Sequence, residues 1–186
     1  MTSDDVVARH VARLRAVFRE NRDKQKAHRK SQDILGELAS DPSTVGSILR
    51  TYLLNSAVLN NRHYPVIGIT LEENVHFTLV ANCWLPLPDR SSDVSTKSIH
   101  HHGTMLLTPA TAFGPGYEHW TFTRPIPVGG YTELFRFTVI ESGNHGLHHV
   151  AFVDSYIAHV PLYPSSLSIT LALWSDSTPT DWRAFL

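Results

Sequence analysis

Two stretches decide how this chain is interpreted: Phe77-Thr78-Leu79-Val80-Ala81-Asn82-Cys83-Trp84 and Ser98-Ile99-His100-His101-His102-Gly103. The first is rich in apolar and β-branched residues, which is typical of a buried β-strand. The second places three histidines in a row. In a strand, the side chains of His100 and His102 point to one face of the sheet and that of His101 to the other. We therefore expect two imidazoles, one pleat apart, on the same face of a sheet.

Short β-rich runs continue on both sides of these stretches, from Pro65 onward, and Gly, Pro, Asn and Ser residues separate them. Seven or more short strands at this spacing are typical of a sandwich or barrel. The predicted strands are Val66–Leu71, His76–Leu85, Ser98–Leu107, His119–Arg124, Thr132–Ile140, His148–Val153 and Ser168–Trp174.

The first 62 residues follow a helical pattern instead. Apolar residues recur every three to four positions, and Asp41-Pro42-Ser43 interrupts the pattern and begins a further helix. Residues 1–62 carry a net charge of +4 and residues 63–186 a net charge of −5. We predict a helical N-terminal segment, 1–62, packed on a β-barrel, 63–186. The predicted buried positions are Val7, Val11, Leu14, Phe18, Ile34, Leu35, Leu38, Val45, Ile48, Leu49, Tyr52 and Leu53.

Composition narrows the class of protein. The 186 residues carry a net charge of −1, which does not favour binding to nucleic acid or to anionic lipid. No apolar run approaches the roughly 20 residues that cross a bilayer, and the acidic start Met1–Asp5 lacks a signal-peptide core. A cytoplasmic protein with small-molecule partners is expected. The single cysteine, Cys83, excludes an internal disulfide framework and a multi-cysteine zinc site.

The twelve histidines are the unusual feature, and ten of them follow residue 62. His100 and His102 can share a metal ion if a third ligand comes from another strand, and His159 in Tyr156–Val160 is the best candidate. Three neutral imidazoles leave a divalent ion its full charge and open positions for water, substrate or dioxygen. The alternative is that these histidines are surface residues or hydrogen-bonded core residues. Their spacing does not decide between the two.

The same residues resemble a known family. Phe77–Trp84, the loop after it and Ser98–His102 resemble the first half of the cupin core in the thiol dioxygenases, the cysteine dioxygenase group. Ile157-Ala158-His159-Val160 and then Ser168–Ser175 resemble the third-histidine strand and the closing strand. A helical segment of similar length also precedes the core. The resemblance implies a cupin, a double-stranded β-helix barrel, in which His100, His102 and His159 hold Fe(II).

Several positions depart from that family. Leu106 or Leu107 stands where many other cupins have a carboxylate ligand, and Leu107 is also near the position of the cross-linked cysteine of some members. Thr170, Ala172 and Trp174 replace the Ser-His-Tyr set of the closing strand. The substrate-binding arginine would lie near Pro65–Val66, where there is none. The resemblance therefore implies an oxygenase or oxidase that acts on a more apolar substrate than free cysteine.

Further candidates surround the predicted site. Tyr117-Glu118-His119-Trp120 follows a Gly-Pro-Gly turn, and Glu118 and His119 would face opposite sides of a strand. Glu118 is a candidate base or partner of an imidazole N–H, and His119 a candidate ligand or proton shuttle; with Tyr117 they are the candidate catalytic residues. Leu107, Phe113 and Trp174 are the candidate pocket residues. His145, His148 and His149 either supplement the site or are exposed turn residues.

Three functions remain open. The first is a mononuclear non-haem Fe(II) oxygenase or oxidase that binds dioxygen and a small organic substrate. The second is a zinc, nickel or manganese cupin that works as an isomerase, lyase or hydrolase, because imidazole suits all these metals. The third is a regulator with a DNA-binding helical head, although Ser31–Ser40 and Ser43–Asn60 do not present a helix-turn-helix pattern. The sequence does not indicate an oligomeric state.

Overall fold

The computed structural model describes residues 4–54, 66–87, 99–130 and 134–177. The boundary predicted near residue 62 lies outside these ranges. The helices are α1 (Asp4–Glu20), α2 (Lys24–Ser40) and α3 (Ser43–Leu54). The strands are β1 (Val66–Glu73), β2 (Thr78–Trp84), β3 (Met105–Phe113), β4 (Tyr117–Phe122), β5 (Ile126–Pro127), β6 (Phe135–Arg136), β7 (Val139–His145), β8 (Ala158–Pro161) and β9 (Ser168–Asp176).

The helices begin and end where local side chains satisfy the backbone. The carboxylate of Asp23 accepts a hydrogen bond from the Lys26 N–H at 3.1 Å and caps the start of α2. Asp41 does the same for Ser43 at the start of α3, at 2.9 Å. The predicted apolar stripe is correct at Ile48, which is fully buried, but wrong at Leu49, which is 44% exposed. Leu49 is one position further round the helix and points away from the core.

A four-stranded antiparallel sheet in the order β1-β2-β9-β3 forms the centre of the molecule. In β9, successive side chains point to opposite faces of this sheet. Ile169, Leu171 and Leu173 belong to the hydrophobic core shared with the helices. Thr170, Ala172 and Trp174 point to the opposite face, where they line a pocket. The sheet is therefore covered on both faces, which explains why its strands contain so few charged residues.

A second antiparallel sheet, β7-β4-β8, faces the pocket side of the first, and β5-β6 form a separate two-stranded pair. Isolated bridges between Leu107 and Val153 and between Ala110 and Val150 join β3 to the chain before β8. Two facing sheets behind an N-terminal helical segment confirm the predicted fold class, a mainly β cupin barrel. No helix within the described ranges combines the length and apolar character that crossing a bilayer requires.

Two predicted strands differ from the structure. The described part of Ser98–Leu107 contains only a bridge at His100 and the start of β3, because a turn at Gly103, with φ of +62°, redirects the chain. In His148–Val153 the chain makes only single bridges, and His148 itself has a positive φ in a turn. The predicted strand Thr132–Ile140 corresponds to β6 and the beginning of β7, and residues 131–133 lie outside the described ranges.

Candidate metal centre

Three imidazoles converge at one end of the barrel. His100 and His159 form an isolated antiparallel bridge, and their ring centroids are 4.6 Å apart. His102 lies two residues after His100, and its ring is 4.6 Å from that of His159. The Nε2 atoms of His100 and His102 are 3.2 Å apart, and one nitrogen from each of the three rings lies within 4.8 Å of the others. The structure thus brings together the three histidines that the sequence analysis selected.

A backbone carbonyl orients the third ring. His159 Nδ1 lies 2.9 Å from the carbonyl oxygen of Ile157, and because a carbonyl only accepts, Nδ1 carries the donated hydrogen. The neutral ring then has its lone pair on Nε2. His159 is buried, and burial lowers its pKa below the ordinary histidine value. A neutral imidazole with a fixed tautomer is the form that binds a metal ion.

The donor set fits a divalent transition metal. Two nitrogens that share one ion at the usual distance of about 2.1 Å are themselves about 3 Å apart, as His100 and His102 are. Leu106 and Leu107, at the position of the carboxylate ligand of other cupins, are both buried. Three neutral nitrogens would leave the ion its +2 charge, and imidazole accepts iron, zinc, nickel and copper alike. His100, His102 and His159 are therefore the residues that could hold a metal.

The histidines face a pocket of about 260 Å³ between the two sheets. Most of its wall is apolar or aromatic, and polar atoms come from a few side chains. The described lining residues are Val66, Asn82, Trp84, His100, His102, Leu107, Pro109, Tyr117, His119, His159, Pro161, Thr170, Ala172 and Trp174. Such a cavity, with few polar groups in an apolar wall, is typical of a small-molecule site.

The candidate residues of β4 divide between the two faces of that strand. Tyr117 and His119 line the pocket, whereas Glu118 is exposed on the other face, where its carboxylate accepts a hydrogen bond from Trp120 Nε1 at 2.7 Å. The expectation that Glu118 or His119 enters the cavity is thus resolved in favour of His119. Glu118 does not line the pocket, because side chains in a strand alternate.

Leu107 and Trp174, two of the candidate pocket residues, line the pocket, and the Trp174 ring is 4.7 Å from that of His102. Phe113 does not line it and is 44% exposed. The pairing of β3 with β9 shifts register between Thr111 and Phe113, so the alternation that starts at Leu107 is broken before Phe113. Phe113, a candidate pocket residue from the sequence, is therefore not among the residues that line this pocket.

Trp84, Asn82 and Val66 also line the pocket, although they were not among the candidates from the sequence. The Trp84 ring stacks on Tyr117 with centroids 5.1 Å apart, and its Nε1–H donates to Thr170 Oγ1 at 2.8 Å. Asn82 shares the face of Trp84, two residues earlier in β2. A polar residue that alternates with core residues in an otherwise buried strand was the available signal.

A row of rings extends from His159 through His119, which lines the pocket, to His145 and His149. His119 lies 5.2 Å from His159 and 4.7 Å from His145, and His145 stacks on exposed His149 at 4.8 Å. Burial lowers the pKa of His119 to about 3 and that of His145 to about 4. Burial also raises the pKa of Tyr117, whose hydroxyl is 3.3 Å from His145 Nδ1. His119, His145 and Tyr117 are therefore neutral near pH 7. His148 is exposed and takes no part in the row.

Cupin domains are among the solved structures to which this chain is similar. No protein-family model and no curated protein matches the chain. The chain is similar to the Schizosaccharomyces pombe Cnp3 cupin domain, with 7% identity over 65% of this chain and 72% of that one and a TM-score of 0.41. For KdgF from Halomonas sp., the identity is 9%, the coverage 62% and 84%, and the TM-score 0.39. For a cupin domain from Bordetella pertussis, the identity is 10% over 58% of this chain and 90% of that one, and the TM-score is 0.33.

The chain has a cupin fold. The order of strands in its two facing sheets carries this assignment. The fold accommodates many unrelated reactions, so the function has to be argued from the residues of the site.

Proposed function

We propose that this chain is a mononuclear metalloenzyme of the cupin class that uses Fe(II) and dioxygen to oxidise a small organic substrate other than free cysteine. The convergence of three imidazole nitrogens within 4.8 Å, on the wall of a mostly apolar pocket, carries the proposal. The likeness of the histidine motifs to those of thiol dioxygenases favours iron among the metals that imidazole binds.

In this proposal His100, His102 and His159 hold the metal, and a bound ferrous ion supplies the reaction with dioxygen that no protein side chain provides. The hydrogen bond from His159 Nδ1 to Ile157 keeps that ring oriented. Trp174 packs against His102 and, with Leu107 and Ala172, forms an apolar wall beside the three histidines. These side chains exclude water from the site and leave its polar interactions to a few groups.

The charge of the wall limits the substrate. Among the described lining residues there is no Lys, Arg, Asp or Glu. Val66 lines the pocket near the position where the resemblance would require an arginine for a substrate carboxylate. A zwitterion such as free cysteine would therefore have no partner for its second charge in this wall. An organic substrate with few charges, bound by its shape and by the metal, fits better.

Metal content is the first test. Protein purified without chelators or affinity-tag metal, or reconstituted anaerobically with Fe²⁺, is expected to hold close to one iron per chain, and His102→Ala to lose it. His101→Ala is the matched control, because His101 is the adjacent histidine, is exposed and does not line the pocket. Iron that is retained equally in His102→Ala and in the wild type would refute the assignment of the site.

Dioxygen uptake separates oxidation from other metal chemistry. The iron-loaded protein is expected to consume dioxygen with some member of a panel of small thiols, diketones and enols, and His102→Ala to consume none. Zinc in place of iron, together with substrate turnover and no dioxygen uptake, would instead establish the non-redox isomerase, lyase or hydrolase. If the wild type binds no metal even after reconstitution, the metal site is refuted and the three histidines have a structural role.

A further inference from the structure

Asn82 and Thr170 lie side by side on the pocket wall. They are paired across β2 and β9, and both line the pocket. Directly paired residues on one face of an antiparallel sheet have Cβ atoms about 5 Å apart, so the amide and the hydroxyl are within reach of a single ligand group. Their neighbours on this wall are the apolar side chains of Val66 and Ala172 and the ring of Trp84.

Both side chains have hydrogen-bonding capacity that no group in the described ranges uses. Thr170 Oγ1 accepts from the Trp84 indole N–H at 2.8 Å, and since an indole only donates, the hydroxyl hydrogen of Thr170 is not used in that bond. No group in the described ranges accepts that hydrogen, and none bonds to the Asn82 amide. Thr170 is 2% exposed, so an unpaired hydroxyl hydrogen there costs stability that a ligand oxygen would restore.

Along β9, this polar pair is separated from the residue that packs against His102. Trp174, whose ring packs against His102, pairs with Leu107 and is four residues from Thr170 along β9. Four residues of a strand span about 13 Å. Ala172 and Pro109, which pair with each other, lie between the two ends and are apolar. The pocket thus has a metal end, an apolar middle and a polar end.

The polar end is suited to a neutral group. No charged side chain is among the described lining residues, so a carboxylate placed there would be desolvated without a counter-charge. The Thr170 hydroxyl donates, and the Asn82 amide both donates and accepts. A carbonyl oxygen, above all that of a primary amide, satisfies both side chains at once.

We infer that Asn82 and Thr170 are specificity-determining residues and that they bind a neutral carbonyl or amide group at the end of an elongated substrate whose other end binds the metal. The inference rests on the proposed metal site and specifies its substrate class. A substrate of this class must also have an apolar segment between the group that binds the metal and the group that binds Asn82 and Thr170.

Binding of hydroxamic acids tests this without knowledge of the substrate or the reaction. The probes are straight-chain hydroxamic acids of increasing length, each ending in an isopropyl group, a primary carboxamide of the same shape or a carboxylate. Their dissociation constants are measured on Co²⁺-loaded protein from the visible absorption of the metal. At one chain length, the carboxamide is expected to bind about tenfold more tightly than the isopropyl probe, and the carboxylate more weakly than the carboxamide.

Two variants assign the preference to the pair. Asn82→Leu and Thr170→Val retain the side-chain shape and are each expected to reduce the ratio of carboxamide to isopropyl affinity to less than about threefold, with unchanged Co²⁺ stoichiometry. Thr78→Val is the matched control, because Thr78 is on the same face of β2 but does not line the pocket. The wild-type comparison needs no variant, so a variant that fails to fold leaves the test intact.

The outcomes separate the two proposals. If Co²⁺ and the probes bind, but carboxamide and isopropyl probes bind equally at every length, the polar subsite is wrong and the metal site stands. A carboxamide preference that both variants retain also refutes the assignment to Asn82 and Thr170. Failure of the wild type to bind Co²⁺ overturns the metal site, and the inference with it.

Discussion

His100 and His159 exchange both of their backbone hydrogen bonds: His100 N–H donates to the His159 carbonyl at 3.0 Å, and His159 N–H to the His100 carbonyl at 2.8 Å. This bridge ties the segment before β3 to β8. Because it is a single bridge outside the regular sheets, the position of two of the three proposed ligands depends on it. The site is therefore built by main-chain pairing, and the side chains need only adopt their rotamers.

Metal is expected to stabilise the fold through these three rings. Wild-type protein in Zn²⁺ or anaerobic Fe²⁺ at about a hundredfold above the dissociation constant should gain about 3 kcal/mol in the free energy of unfolding, because the ion binds only the folded protein. Denaturant titration with and without metal measures this gain. His159→Ala should show none, and His101→Ala should retain it. An equal gain in His159→Ala would contradict the proposed ligand set.

His28 is expected to make the protein sensitive to acid. Its buried ring bridges Thr108 Oγ1 at 2.7 Å and Ser175 Oγ at 2.9 Å. Burial, with a smaller contribution from Lys24, lowers its pKa from 6.5 to about 4. The unfolded chain therefore binds the proton more tightly than the folded one. Stability from this residue is fully present above pH 6.5 and is lost as the pH falls towards 4, by about 3 kcal/mol.

Chemical denaturation at several pH values between about 7.5 and about 4 measures this loss. This interval covers the pKa of His28 in the unfolded chain, 6.5, and in the folded protein, about 4. His28→Gln is expected to be less stable at pH 7 and to have a shallower dependence of stability on pH than the wild type. Burial also lowers the pKa values of His119 and His145, so these two residues contribute to the pH dependence that His28→Gln retains. A slope that is identical in His28→Gln and in the wild type would show that His28 is not the acid-sensitive residue.

Gly116 is expected to tolerate no side chain. Its φ is +75°, and an added Cβ would overlap the carbonyl oxygen of His145 on β7. Gly103 has a similar φ of +62° but nothing within 4 Å of the added Cβ. Gly103→Ala should therefore cost about 1 kcal/mol from backbone strain alone, and Gly116→Ala several times more. The midpoints of denaturation of the two metal-free variants provide the comparison, and equal midpoints would contradict the packing of β4 against β7.

Pocket volume is expected to limit probe binding at Ala172 but not at Phe113. Ala172 lines the pocket between its two ends, so Ala172→Leu should weaken binding of the isopropyl hydroxamate by at least about tenfold through steric overlap. Phe113→Ala should leave that affinity unchanged, as should Glu118→Gln on the outer face of β4. A large loss of affinity in either of the last two variants would restore the residue to the site.

Cys83 is expected to be unreactive in the folded protein. It packs in the core between the sheet and the helices, and burial raises its pKa to about 11. Thiolate is the reactive form, so alkylation by iodoacetamide at pH 8 should be slow in native protein and fast in denaturant. Mass spectrometry of the two samples measures the difference. Rapid labelling of the native protein would show that β2 is exposed.

Local patterns accounted for much of the fold and for the proposed ligands. The three-to-four-residue spacing of Leu14 and Phe18 predicted α1, and both residues are buried. The period of two in β9 predicted a strand, and its alternate faces are both covered. His100 and His102 were selected because residues two apart share a face, and the structure places their rings 5.0 Å apart.

Errors occurred where register or a turn mattered. The shift between Thr111 and Phe113 in β3 depends on pairing with β9, which is remote in sequence, so no local pattern indicates that Phe113 leaves the pocket. For Glu118 and His119, alternation showed that they face opposite sides but not which side is the interior. That choice follows from pairing of β4 with β8, where Thr121 is opposite His159.

The sequence by itself determined the class of fold and the residue types available for chemistry, because hydrophobic periodicity and turn residues act over a few positions. It also determined that a metal site could not be built from several cysteines, since the chain has one. Only the tertiary structure decided that His159 meets His100 and that Asn82 meets Thr170. Both pairings join residues far apart in the chain, and hydrogen bonds between strands, rather than local propensity, set them.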